Sequence, residues 1–251
     1  MLARAPEPGV RGSATMQPKL QFETAQAVFE QANLEMLAVA QVDLFNDSQY
    51  QKLTEKWCAG MFGLGYEKFI RPCLVAINIG SDRLDADFFL RTSNRDFPFQ
   101  VAEVQDPSRR HGAEYKLLAE GKALTFPYEP EKGHIEGPTW IANAIEKKAR
   151  KNYAGATELN LLLYANFTAR QLDHDVLVAA TEPYAKSFAS IWVVTNLHLS
   201  YLWGMDELGT IDGWGIIIRP EDYEARHPNP RLNRTCKQRR FAMPLASRLT
   251  A

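Results

Sequence analysis

Two stretches of this chain are apolar almost without a break. Glu158-Leu-Asn-Leu-Leu-Leu-Tyr-Ala-Asn166 and Ser190-Ile-Trp-Val-Val-Thr195 each have the length of one strand, and neither alternates with polar residues. A strand of that kind is buried on both faces, as parallel strands covered by helices are. Residues 168–188, between them, read as helical with an interruption near Thr181-Glu-Pro183. The second strand is therefore predicted to run parallel to the first across a helical crossover, and the chain is expected to be an α/β protein.

Upstream, residues 19–42 read as a helix through Phe22, Gln26, Phe29, Asn33 and Met36, and a second helix is predicted over about 48–62. Leu53, Trp57 and Met61 form one apolar stripe on it, with Gly63 and Gly65 as its end. Glu55 lies off that stripe and reads as a solvated acid. Cys73-Leu-Val-Ala-Ile-Asn-Ile79 is a strand, followed by a turn at Gly80-Ser-Asp82. Asp85-Ala-Asp-Phe-Phe-Leu90 and Phe99-Gln-Val-Ala-Glu-Val-Gln105 then read as a hairpin around Thr92–Pro98.

If that turn centres on Arg95, residues whose numbers sum to 190 face each other. Asp87 then stands opposite Glu103, with Asp85 and Gln105 on the same face. Such a patch is either a solvated face or an oxygen-rich site for a hard cation. A slip of one residue in register would part the acids.

Asp106–Pro138 carries four prolines and reads as a long functional loop, with a short helix at 112–120. Arg109, Arg110 and His111 lie at its start, either to meet phosphates or to face water. A helix is predicted from Thr139 to about Tyr153, with Ile141, Ile145, Ala149 and Tyr153 on its buried stripe and Lys148 bordering it. Asp173-His-Asp175 reads as a helix start. Leu199–Trp203 and Gly215–Arg219 read as closing strands.

The 45% hydrophobic and 24% charged content suits a globular chain rather than a disordered one. No apolar run reaches membrane-spanning length. Residues 1–18 read as a disordered leader without the core of a secretory signal. Cys58, Cys73 and Cys236 have no CxxC spacing, which argues against a structural zinc and for reduced thiols in a cytoplasm. The net charge of −1 hides an asymmetry, because residues 225–251 hold seven basic residues and no acid. A basic end of this kind is either a solvated tail or a contact for a phosphate-bearing partner. The expected organisation is a single domain over 19–219 with an insertion at 106–138, then a basic extension over 220–251.

The order of elements, α-β-β-β-α-β, places Ala86-Asp87-Phe88-Phe89-Leu90 on the second strand and Val101-Ala-Glu103-Val-Gln105 on the third. Ile145–Tyr153 and Leu159–Asn166 then supply a helix and a strand. Over about residues 46–200 this resembles the PD-(D/E)XK nuclease superfamily, with Ala86 where Pro is usual and Gln105 where Lys is usual. The resemblance implies a restriction endonuclease-like mixed sheet flanked by helices, and cleavage of DNA with Mg2+, or Mn2+, as cofactor. It implies Asp87, Glu103 and the Val104 carbonyl as metal ligands, Gln105 positioning a water, and Lys148 supplying the missing positive charge. Arg109, Arg110, Lys147, Arg239 and Arg240 would meet the DNA backbone, and a homodimer would suit double-strand cutting. A module on the same fold that binds nucleic acid without catalysis is the alternative. A third reading leaves the hairpin acids as surface residues of a different enzyme or interaction protein.

Overall fold

The structure, a computed structural model, describes residues 20–39, 51–78, 85–93, 95–109, 117, 120, 130–151, 157–167, 171–204 and 206–218. The 1–18 leader, the turn at Gly80-Ser-Asp82, residues 112–116, 118 and 119 of the short helix predicted in the long loop, Arg110, His111, Arg239, Arg240 and the whole 220–251 extension lie outside these residues. The described chain is mixed α/β. Its strands are β1 (Glu23–Thr24), β2 (Leu74–Ile77), β3 (Phe88–Thr92), β4 (Arg95–Val104), β5 (Asn160–Ala165), β6 (Ser190–Val194), β7 (His198–Gly204) and β8 (Trp214–Ile216). Its α-helices are α1 (Ala25–Ala38), α2 (Gln51–Phe69), α3 (Pro130–Ala149) and α4 (His174–Thr181). All eight strands form one sheet in sequential order. β4, β5 and β6 run parallel, and the other neighbours are antiparallel.

The two uninterrupted apolar runs are β5 and β6, parallel as their pattern predicts, and every residue of both is buried. Their alternate side chains enter different cores. Leu162, Tyr164, Trp192 and Val194 pack with Phe29, Trp57 and Phe62 of α1 and α2. Leu161, Leu163, Ile191 and Val193 pack with Ile141, Ile145 and Leu177 of α3 and α4. The sheet is thus the middle of three layers. At about 1.5–3 kcal/mol per fully buried aliphatic side chain, it is this double-sided burial that holds the central strands in place.

Local signals set the helix starts. The Thr24 hydroxyl accepts the Ala27 N–H at 3.2 Å, and Asp173 accepts those of Asp175 and Val176 at 3.1 and 3.2 Å. Asp173-His-Asp175 is therefore the helix start that the sequence suggested, with Asp173 as its cap. Helix bounds differ from expectation. α1 starts only at Ala25, after β1, and α4 spans only His174–Thr181. α2 runs through Gly60, Gly63 and Gly65 to Phe69 instead of stopping there. A Cβ on Gly60 would lie 2.7 Å from the Phe29 Cα, so the glycine lets the two helices approach backbone to backbone. α3 begins at Pro130 and carries Pro138 inside it, which shortens the irregular insertion. Gly133 and Gly137 of its first turns lie against Phe167.

The hairpin register also differs. Thr92 pairs with Arg95 and Phe88 with Phe99, so opposed numbers sum to 187 rather than 190. The turn is the tight one after Thr92, with Ser93 at φ 53°, as two-residue hairpin loops require. Pro98 consequently lies inside β4. It is tolerated because its backbone faces the β5 side just ahead of that strand, where its carbonyl accepts the Asn160 side-chain amide at 2.9 Å. The expected pairing of Asp87 with Glu103 does not form.

Candidate functional site

An odd slip in register ought to send Asp87 to the far face of the sheet. A bulge reverses this. Phe88 is paired with Phe99, yet the Asp87 N–H also donates to the Phe99 carbonyl, at 2.7 Å. Two residues of one strand thus stand against one of the other, and the extra residue re-aims the Asp87 side chain. Asp87 turns to the α2 side, where Phe88 also points and meets Phe62. The turn entering the bulge is pinned on several sides. Asn78 donates its amide to the Ala86 carbonyl (2.7 Å) and its backbone N–H to that of Asp87 (2.9 Å). Gln100 donates to the Asp85 carbonyl (3.1 Å). Asp85 itself is exposed, with φ at 30°.

Past the bulge, β3 no longer lines β4, and the Val101 peptide has lost its strand partner. Two side chains of opposite charge take that place. The Val101 N–H donates to Asp87 Oδ2 at 2.8 Å, and Lys148 Nζ donates to the Val101 carbonyl at 3.3 Å. Lys148 comes from the last turn of α3, half-buried beside its apolar stripe as expected. Burial pushes its amine below the ordinary lysine range, and the charges of Asp87 and Glu55 only partly oppose this.

Glu55 is the buried acid that the sequence concealed. Expected in water, it is 7% exposed. Burial, reinforced by the nearby Asp87 charge, raises its carboxyl above the usual range even though Lys52 and Gln51 pull the other way. Gln51 donates to Oε1 at 3.0 Å. Oε2 accepts no well-directed hydrogen bond; its contact is ionic, with Lys52 Nζ at 2.7 Å. The same ammonium lies 3.1 Å from Asp87 Oδ1. For Lys52, burial lowers the amine, but its two acidic partners outweigh this and raise it.

Glu103 projects from the end of β4, exposed, and accepts the Asn166 side-chain amide at 2.6 Å. Tyr164 continues this ridge along the ends of the parallel strands, donating to Asn196 at 2.7 Å. Beneath lies the fully buried thiol of Cys58. Burial raises it well above its ordinary value, and Glu103, Glu55 and Asp87 all add to the rise. All three carboxylates thus lie within electrostatic reach of the Cys58 thiol.

The Val104 carbonyl accepts the Asn166 backbone N–H at 2.9 Å and belongs to the β5 side of β4, away from Asp87. Gln105 is half-buried just beyond the strand, and Lys147 and Arg109 are exposed. Among the described residues, no three His, Cys, Asp or Glu side chains are gathered closely enough to hold a metal ion as they stand. The donors are hard carboxylate oxygens, one of them buried with only an ammonium against it, and that chemistry suits a divalent cation such as Mg2+.

The exit of β4 is tied to α3. Asp106 accepts the Ser108 N–H (2.8 Å), the Ser108 hydroxyl (2.6 Å) and Lys132 Nζ (3.2 Å). Burial opposes the Asp106 charge, but these donors outweigh it and hold the carboxyl below its usual range. A depressed carboxylate contributes stability above its unfolded pKa and loses it as pH falls through the folded one. Asp106→Asn is therefore expected to melt below wild type at about pH 7, with the gap closing as pH falls through the folded value. Equal melting at neutral pH would show that the tie carries no weight.

Compared with protein-family models, with curated proteins and with solved structures, the chain matches none of them. Among the described residues, no helix is long and apolar enough to cross a membrane.

Proposed function

We propose that the protein is a metal-dependent phosphodiesterase that cleaves DNA, built on a restriction endonuclease-like core of the PD-(D/E)XK kind. The observation that carries this reading is the bulge at Asp87. It turns a carboxylate off the regular sheet and towards buried Glu55, at the end of the sheet where Glu103 and Lys148 also lie. Bulges that re-aim a side chain are frequent beside active sites, and the open ends of parallel strands are the usual place for ligands in such sheets.

In this reading Asp87, Glu55 and Glu103 hold Mg2+ or Mn2+. A bound divalent ion would lower the pKa of a water and offset charge on the phosphate. Gln105 carries an amide, which orients a water but cannot deprotonate it. Lys148, with its amine weakened by burial, stabilises charge developing on the phosphate. Arg109, Arg110, Lys147, Arg239 and Arg240 hold the DNA backbone, and a homodimer places two sites on two strands. The two buried free thiols, Cys58 and Cys73, accord with a cytoplasmic setting.

A second reading, a module that binds nucleic acid without cutting it, has an observation of its own. Asp87 and Lys148 already satisfy the Val101 peptide, a structural task that needs no catalysis. Supercoiled plasmid incubated with Mg2+ or Mn2+ separates the two. Cutting by wild type that Asp87→Ala and Glu103→Ala both abolish supports the nuclease. DNA binding with neither cutting nor cation uptake supports the module. Cutting that survives in both variants removes the site altogether.

A further inference from the structure

We infer that Lys52 is an intramolecular competitor for the divalent cation, seated between Glu55 and Asp87 and obliged to leave before a cation enters. The inference rests on the cation-site reading above and adds what controls occupancy of that site. A monovalent cation already bridges the two acids, with Lys52 Nζ 2.7 Å from Glu55 Oε2 and 3.1 Å from Asp87 Oδ1. The acids are the fixed partners. Their side chains are 9% and 14% exposed, with Glu55 held by the Gln51 amide and Asp87 by the Val101 N–H. The lysine is the movable one. Its side chain is 57% exposed, and its ion pairs hold it at the tip of a flexible stem.

Two partly desolvated carboxylates this near a common point repel unless a cation lies between them. An ammonium or a divalent ion can serve, but both together are opposed by their own repulsion. Lys148 does not compete in the same way. Its Nζ donates to the Val101 carbonyl, and it feels Asp87 and Glu55 as neighbouring charges. Apparent affinity scales with the fraction of molecules whose site is open. If Lys52 is seated about nine-tenths of the time, removing it tightens cation binding about tenfold.

Calorimetric titration with Mn2+ of wild type, Lys52→Met and Lys148→Met, beside thermal unfolding with and without Mn2+, tests this. Lys52→Met is expected to bind Mn2+ about tenfold more tightly than wild type, to melt lower without the ion, and to regain the loss with it. Lys148→Met is expected to tighten binding less. If wild type binds Mn2+ and Lys52→Met binds it no tighter, the competition is overturned while the cation site stands. Equal tightening by Lys148→Met overturns it too, because the effect is then general charge. If no variant takes up Mn2+, the cation-site reading fails and Lys52 is a structural counter-ion only. Should Lys52→Met fail to fold, Lys52→Gln makes the same comparison with a polar side chain.

Discussion

A Glu55→Gln protein is expected to fold as wild type does and to lose about a hundredfold or more of the proposed Mg2+-dependent phosphodiester cleavage. The substitution keeps the shape of a side chain that is 7% exposed and removes only its charge. Stability runs the other way from activity. Burial and the Asp87 charge raise the Glu55 carboxyl in the folded protein, so folding favours the protonated acid. A raised carboxyl costs nothing below its unfolded pKa, and its cost grows as pH rises through the folded value. The variant should therefore melt at or above wild type near neutral pH, with the gap closing as pH falls. A lower melting temperature at neutral pH would mean that the Lys52 pair stabilises more than burial costs. Cleavage at the wild-type rate would remove Glu55 from the site.

Phe62→Ala is expected to cost about 3–5 kcal/mol, enough to threaten folding at ordinary temperature. Phe62 is fully buried in α2. Its ring centroid lies 4.8 Å from that of Phe99, 5.3 Å from Trp192, 5.9 Å from Tyr66 and 6.0 Å from Phe88. Collapse of Phe88 or Phe99 into the space would break their stacked pair, which is the residue pair at the bulge. Loss of the ring should thus loosen Asp87 as well as the core. Urea unfolding measures the first effect as a fall in midpoint at unchanged slope, and Mn2+ titration at low temperature measures the second. A cost below about 1 kcal/mol would show that this core repacks freely.

The acids of the hairpin were legible because period and composition mark strands, and the parallel pair was legible because β5 and β6 have no polar face. The register was not. It depends on which two residues make the turn, and Thr92–Pro98 offers several choices. The bulge is less visible still, since strict alternation has no place for an extra residue. The bulge turns Asp87 towards the α2 side by a route that simple pairing does not contain. Glu55 was hidden by a stripe argument that assumes one covered face. α2 is buried on nearly every side, and Gly63 and Gly65, which read as a stop, mark close packing instead, as Gly60 does. Lys148 was found because it borders an apolar stripe, and a long side chain at such a border can bury its stem.

Because each strand of the sheet lies beside the one before it in sequence, no later strand is inserted between earlier ones. A chain leaving the ribosome can add strands in the order they are made, without opening pairs already formed. Lys52, Glu55, Asp87, Glu103, Lys148 and Asn166 all precede β6. The groups that make the site are thus in the chain before the last three strands are synthesised. Those strands contribute Trp192 and its neighbours to the core, so they act on durability more than on chemistry.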